Sequence, residues 1–182
     1  MSDPSQRTDP RVERLQRAIR DVPDFPKPGI LFRDITPVLG QPALLREATE
    51  LLAEPFEGRG ITHVAAIESR GFILGAPVAL RLGAGFVPVR KAGKLPAATV
   101  REEYALEYGT DCLEVHADAL PPGARVLVLD DVLATGGTAA AACRLLRRLD
   151  AAITGCIFLV ELGFLKGAER LRETEVTSII RY

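Results

Sequence analysis

The stretch Ala124–Leu149, ARVLVLDDVLATGGTAAAACRLLRRL, decides how the rest of the chain is read. Val126, Leu127, Val128 and Leu129 run without alternation, the pattern of a strand buried on both faces. The run stops at two adjacent carboxylates, Asp130 and Asp131. Val132 and Leu133 lead into Ala134-Thr135-Gly136-Gly137-Thr138, and an Ala-rich segment of strong helix propensity continues to Leu149. A strand, an acidic pair, a glycine loop and a helix start, in that order, predict an anion site at the carboxyl end of a parallel strand.

The residue types narrow the anion. Two glycines let the backbone take positive φ and come close to a ligand with its N–H groups pointing inward. Thr135 and Thr138 add hydroxyl donors, and the helix N-terminus adds a favourable dipole. Two carboxylates immediately upstream would repel a bare phosphate. They make sense where the same ligand also offers hydroxyl donors or brings a metal ion, as a phosphorylated sugar with a free diol does. No Gly-Lys-Ser/Thr occurs, which excludes the triphosphate-binding P-loop, and the three-glycine spacing of dinucleotide folds is absent. An ordinary strand–turn–helix with a capping Asp would leave two strand carboxylates buried at high cost.

Working outward, Ile61–Ile67 (ITHVAAI) reads as a second buried strand, ending in Glu68-Ser69-Arg70-Gly71-Phe72 before a helix over Ile73–Leu82. Ser69, Arg70 and Gly71 would then sit at a second helix N-terminus, a second candidate anion site with Arg70 available for charge-assisted contact. On residues alone, the alternative is a solvated turn arginine. Gly85–Val89 is a short strand followed by Arg90-Lys91-Ala92-Gly93-Lys94. Of the 23 basic residues four are lysines, and two of these, Lys91 and Lys94, fall in this loop. Such a flexible cluster suits either a diphosphate clamp or a solvated charged loop. Ala97–Ala117 alternates in its second half around Gly109-Thr110-Asp111 and reads as a hairpin projecting from the main sheet. Its many charges fit an exposed edge. Ala152–Val160 and Val176–Tyr182 complete the strands, so strands alternate with helices in an α/β domain with a largely parallel central sheet flanked by helices.

Upstream, Asp9–Val22 reads as an amphipathic helix with Val12, Leu15, Ile19 and Val22 on one face. Pro23 ends it. In the following segment, DFPKPGILFRDITPVLG (Asp24–Gly40), three prolines and a glycine around Ile30, Leu31 and Phe32 exclude a regular helix, and a helix is expected from Pro42 to Phe56.

At 182 residues the chain suits one domain with a sizeable core, and 47% hydrophobic with 26% charged residues is the composition of a soluble globular protein. A net charge of −1 makes no case for nucleic acid or an anionic membrane as partner. The start of the chain lacks the apolar core of a signal peptide, and no apolar run reaches membrane-spanning length. Cys112, Cys143 and Cys156 are odd in number and lack a CxxC pair, which argues against a disulfide framework or zinc site and for a reducing, cytoplasmic location. Cys143 in a helix and Cys156 in an apolar strand read as packing residues. His63 and His116 have no ligand-spaced partner and read as structural.

Val126–Thr138, VLVLDDVLATGGT, closely resembles the phosphoribosyl-pyrophosphate motif of type I phosphoribosyltransferases. The segment through FPKPGILFRDITPVLG and the ESRGF at Glu68–Phe72 resemble the adenine-specific members of that family, so three motifs in family order cover nearly the whole chain. The resemblance implies a type I phosphoribosyltransferase fold over residues 1–182, with an N-terminal hood of about residues 1–40 and a flexible hairpin flap at about residues 95–117. It implies that Asp130 and Asp131 hold the ribose hydroxyls, that Ala134, Thr135, Gly136, Gly137 and Thr138 wrap the 5-phosphate, and that Ser69, Arg70, Arg90, Lys91 and Lys94 take the pyrophosphate. Backbone groups near Leu31 and Arg33 would read adenine while Phe32 stacks on its ring. Arg70 and Lys91 would share catalysis with Glu107, in the flap's E-Y-x-L-E-Y-G pattern, as proton donor or acceptor; Tyr104 or Tyr108 would cover the site.

The implied reaction joins adenine and phosphoribosyl pyrophosphate into AMP and pyrophosphate, with Mg²⁺ held mainly through substrate and water and no direct protein ligand. A cytoplasmic homodimer is the expected assembly. The resemblance also implies a non-proline cis peptide near Ser69, and this chain departs from many members in carrying Ala92 where they have proline. A non-catalytic regulator that kept the sugar-phosphate pocket, or a transferase for another base, is the alternative. With about one helix before the motifs and a charge of −1, the regulator lacks a nucleic-acid-binding part.

Overall fold

The computed structural model describes residues 9–105 and 109–182. They form two compact units, one ending at Leu51 and the other running from Leu52 to Tyr182. In the first, α1 (Pro10–Ala18) is capped by Asp9, whose carboxylate accepts the Arg11 N–H at 2.8 Å. The helix stops earlier than its apolar period suggests. Ile19 turns extended, and Val22 belongs to β1 (Arg20–Pro23), which pairs antiparallel with β2 (Leu31–Asp34). Strand pairing has overridden the helical period, so the prolines flank a small two-stranded ribbon. The short α2 (Thr36–Leu39) and α3 (Pro42–Ala53) complete this unit, and Arg14 on α1 pairs with Glu47 on α3 at 2.8 Å.

The second unit is built on a seven-stranded sheet. Its strands are β3 (His63–Ile67), β4 (Gly85–Lys91), β5 (Thr99–Ala105), β6 (Thr110–His116), β7 (Arg125–Leu133), β8 (Ala152–Glu161) and β9 (Val176–Arg181), in the spatial order β5-β6-β4-β3-β7-β8-β9. The five strands from β4 to β9 in that order are parallel, and the β5–β6 hairpin joins the β4 edge antiparallel. This is the expected α/β class with a largely parallel sheet.

Both sheet faces are covered. One face, carrying Ala65, Ile67, Val126, Val128 and Phe158, packs in the core with Ala141, Ala142 and Leu145 of α5 (Gly137–Arg147). The opposite face carries Ala66 and Leu129 and packs against α4 (Arg70–Leu82). A Cβ on Gly75 would stand 2.5 Å from the Ala66 Cβ, so glycine is what lets this helix approach the sheet. The absence of alternation in Val126–Leu129 is thereby explained: every position has a buried side.

Further expectations change around the acidic pair and the hairpin. β7 continues through the acidic pair to Leu133, because Val132 and Leu133 still pair with Val160 and Glu161 of β8. The β5–β6 hairpin does not project from the sheet at its base. Arg90 and Lys91 pair with Glu114 and Leu113, and Tyr104, Leu113 and Val115 turn inward into the core. Several of its charged residues are paired, as where Glu102 accepts from Arg144 at 2.6 Å.

Candidate active site

The chain passes from β3 to β4 on one side of the sheet and later returns to place β7 on the other side of β3. The order therefore reverses between β3 and β7, and in parallel sheets such a reversal opens a crevice at the carboxyl ends of the two strands. Glu68, Ser69 and Arg70 follow β3, while Asp130 to Thr138 end β7 and begin α5. Topology alone brings the two sequence-predicted anion loops to one place.

Contacts then join them. Asp131, 5% exposed, accepts a hydrogen bond and ion pair from Arg70 Nε. Asp130 Oδ1 accepts the Asp131 N–H at 2.9 Å. A Cβ on Gly71 would stand 2.9 Å from that same Asp130 oxygen, so glycine is required for the start of α4 to lie against the acidic pair. Burial, and then the neighbouring Asp131 carboxylate, push the Asp130 carboxyl well above its ordinary value, with Arg70 offsetting part of the effect. An acceptor held in this way gains from any ligand that brings hydroxyl donors or positive charge. The peptide between Glu68 and Ser69 is cis, as the resemblance implied.

The glycine loop is shaped by a segment distant in sequence. Gly136 has φ +78°, and a Cβ there would stand 2.2 Å from the Gly167 carbonyl oxygen. In return, a Cβ on Gly167 would stand 2.2 Å from the Ala134 carbonyl oxygen. The 3-10 turn over Gly167–Leu171 thus braces Ala134–Gly136, and α5 starts at Gly137. Thr138 Oγ1 lies 3.4 Å from the Tyr104 hydroxyl as a hydrogen-bond donor.

The basic residues are tethered more than a flexible loop would be. Arg90 and Lys91 lie in β4, and Glu68 accepts both the Arg90 Nε–H at 3.1 Å and the Lys91 N–H at 2.8 Å. Arg90 also donates to the Lys94 carbonyl at 3.0 Å. Glu114, 1% exposed, accepts the Gly93 N–H at 2.9 Å and pairs with Arg101 at 2.6 Å. The Ala92 N–H donates to the Cys112 carbonyl at 3.2 Å, a bond that a proline at this position could not make.

The Lys91 ammonium pairs with Asp111 at 3.2 Å, and Asp111 also accepts from the Tyr104 hydroxyl at 3.2 Å. A continuous polar path therefore runs Lys91–Asp111–Tyr104–Thr138, from basic loop to glycine loop. Its hydrogen bond and charge from Asp111 raise the Lys91 ammonium's pKa. Burial acts upward on Asp111, but the Cys112 N–H and Lys91 outweigh it and hold the carboxyl below its ordinary value. Burial raises the Tyr104 phenol. Asp111, Glu114 and Gly167 were not legible as site residues, because each partner lies far along the chain. Glu68 carried one signal, its place directly after a buried strand.

Leu31, Phe32 and Arg33 all lie on β2 in the first unit. Phe32 meets Phe25 edge-on with ring centres 5.2 Å apart, and Arg33 pairs with Asp21 across the ribbon. Leu31 is exposed. Glu107 and Tyr108 lie outside the described residues.

Residues 35–180 match the family described as the phosphoribosyl transferase domain. The chain is 58% identical over 165 residues to the adenine phosphoribosyltransferase of Thermobifida fusca (strain YX), covering 91% of this chain and 94% of that protein. The chain belongs to the adenine phosphoribosyltransferase family. The crystal structure of the Rhodothermus marinus DSM 4252 enzyme, 57% identical, superposes with a TM-score of 0.90 over 94% of this chain and 98% of that one. The Saccharomyces cerevisiae enzyme, solved with adenine and an imino-altritol bisphosphate, is 41% identical with a TM-score of 0.89, over 93% of this chain and 98% of that one. The family's type I fold accounts for the switch-point crevice and for the order in which the two anion loops occur.

Proposed function

We propose that the chain transfers the phosphoribosyl group of phosphoribosyl pyrophosphate to adenine, releasing AMP and pyrophosphate. The observation that carries the reading is the Arg70–Asp131 pair at the carboxyl ends of β3 and β7, which joins a pyrophosphate-type loop to a sugar-phosphate motif. Asp130 and Asp131 accept from the ribose hydroxyls. The backbone from Ala134 to Thr138, with the Thr135 and Thr138 hydroxyls, holds the 5-phosphate at the start of α5. Ser69, Arg70, Arg90, Lys91 and Lys94 take the diphosphate. Leu31 and Arg33 read adenine through backbone groups, Phe32 stacks on it, and Glu107 exchanges the proton at its nitrogen while Tyr104 or Tyr108 covers the site.

The chemistry asks little of any one side chain. The ribose C1 becomes oxocarbenium-like as pyrophosphate leaves, and fixed cations stabilise the departing charge. Alignment of the two substrates supplies much of the acceleration, and flap closure excludes water. Among the described residues no group of three or more His, Cys, Asp or Glu is placed to hold a metal. The hard carboxylate oxygens of Asp130 and Asp131 nevertheless suit an ion carried in by substrate and water. Bound Mg²⁺ would neutralise charge on the diphosphate, with these two carboxylates the acceptors on the protein side.

The chain is read as one phosphoribosyltransferase domain, with a hood of about residues 1–40 and a flap of about residues 95–117, acting as a homodimer in the cytoplasm without a nucleic-acid or membrane partner. Ile73 and Leu80 support the dimer. They lie seven positions apart on one face of α4 and are exposed, Leu80 at 82%. No helix among the described residues is long and apolar enough to cross a membrane. The deciding experiment incubates the protein with Mg²⁺ and phosphoribosyl pyrophosphate plus adenine, hypoxanthine, guanine, xanthine or orotate. AMP from adenine alone is expected. Turnover of another base overturns the adenine assignment, and binding of the sugar phosphate without any turnover overturns the enzyme.

A further inference from the structure

Two of the three cysteines, thirteen positions apart in sequence, meet in the fold. Cys143 on α5 and Cys156 on β8 place their sulfurs 3.5 Å apart, although they are 2% and 0% exposed. A cavity of about 300 Å³ opens beside them, lined by Cys143 together with Arg144, Arg147, Arg170 and Arg172 and by Glu169 and Glu173. Cys143 thus forms part of the cavity wall, and positive charge predominates along it.

We propose that Cys143 and Cys156 are a redox-modification site served by this cavity, in which a hydroperoxide oxidises Cys143 and Cys156 converts the product into a disulfide joining α5 to β8. In the first step the Cys143 thiol gives up its proton and its sulfur attacks one oxygen of hydrogen peroxide, the oxidant; the O–O bond breaks, and the leaving hydroxide takes up that proton and departs as water. Cys143 is then a sulfenic acid. In the second step the Cys156 sulfur attacks the Cys143 sulfur, the S–O bond breaks, and a second water carries away the Cys156 proton. Two thiols and one peroxide thus give one disulfide and two waters.

The pair is suited to the division of labour. The Cys156 thiol, and beyond it Arg147 and Arg144, hold the Cys143 thiol below its ordinary value against the effect of burial. Cys156 is pushed up, first by its bond with Cys143 and then by burial. Cys112, the third thiol, is raised by burial and by nearby Glu114 and Glu103. Closing the sulfurs from 3.5 Å to the bonded length of about 2 Å asks for side-chain adjustment within the core. The bond would tie the helix that begins at the glycine loop to the neighbour of β7.

The test is independent of the transferase reading. The folded protein is treated with hydrogen peroxide, remaining thiols are alkylated, and peptides are mapped by mass spectrometry. A Cys143–Cys156 cross-link with loss of two hydrogens, reversed by dithiothreitol while Cys112 remains alkylatable, is expected. In Cys156→Ser, dimedone should label Cys143; in Cys143→Ser, it should leave Cys156 unlabelled. Arg147→Ala should slow cross-linking by about threefold, through a less populated thiolate. Oxidation of Cys112 before the pair, labelling of Cys156 in Cys143→Ser, or a cross-link formed only in denaturant would overturn the proposal.

Discussion

The glycine loop and the basic loop are both suited to anions, yet they are built in opposite ways. Ala134–Thr138 derives its form from the backbone: Gly136 at positive φ, Gly167 pressed against it, and α5 beginning one residue later. The stretch Arg90–Lys94 derives its position from carboxylates on other elements, with Glu68, Asp111 and Glu114 each holding one part. The first is a shape held by close packing and the second is a charge pattern held by ion pairs. A change of one methyl group should therefore damage the first, while the second should yield in proportion to the charge removed.

Gly136→Ala is the sharpest way to break that contrast. The added methyl would lie 2.2 Å from the Gly167 oxygen in a backbone conformation that L side chains avoid, and backbone on both sides must move. Displacing the loop by about 1 Å should cost on the order of a hundredfold in kcat/KM for the sugar phosphate. Gly167→Ala should do the same from the other side. If either variant keeps the parent's kcat/KM, the bracing is not what positions the loop.

Lys91→Ala removes a cation from the second region together with its pair to Asp111, and leaves in place the Glu68 bond to the Lys91 backbone N–H and the Glu114 bond to the Gly93 N–H. Lys91 is half exposed and already paired, so a loss of about tenfold is expected, smaller than for a buried donor. It should fall on kcat with pyrophosphate as leaving group, with the melting temperature unchanged; a loss of fold would count against the clamp.

Asp130→Asn separates stability from function within the first region. The Asp130 carboxyl is raised in the folded chain, so the folded state binds its proton more tightly than the unfolded state does. Stability is unaffected at low pH and falls as pH rises through the unfolded value near 3.8 toward the raised folded value. Asn removes that cost. The variant should melt about 3 °C higher at neutral pH, which is what roughly 1 kcal/mol gives in a chain of this size, and the gap should close below pH 3.8. Its kcat/KM should drop about tenfold with the loss of a charged acceptor. Equal melting temperatures across pH would mean that the carboxyl is not held at a cost.

The same contrast explains what could be read from sequence. Val126–Thr138 is one contiguous run, so its strand, acidic pair, glycine loop and helix were all legible, and the alternation of strands and helices carried the sheet class. Val22 continues the α1 period in sequence, but in the fold it stands opposite Phe32 on β2. β7 ran past the acidic pair for a similar reason: pairing with β8, invisible in local pattern, extends it to Leu133. Glu114 looked like one charge among many on an exposed hairpin, because burial beside Arg101 is a tertiary fact. Shape made by neighbours in sequence is legible, whereas position conferred by distant carboxylates is not.

Asp111→Asn tests the second region at its mildest. The substitution keeps an acceptor oxygen for the Cys112 N–H, puts an amide NH2 in place of the oxygen that accepts from the Tyr104 hydroxyl, and removes the charge that pairs with Lys91. The Lys91 ammonium, whose pKa Asp111 now raises, would return toward its ordinary value and sample more orientations. Because the pair is partly exposed, stability should change by less than about 1 kcal/mol. If Asp111 positions Lys91, kcat should fall about threefold through lost orientation, and Lys91→Ala placed on top should add little beyond its own loss. If Asp111 instead holds Lys91 away from the diphosphate, the single variant should turn over faster than the parent. Full additivity of the two substitutions would show that the polar path from Lys91 to Thr138 is packing and not part of the clamp.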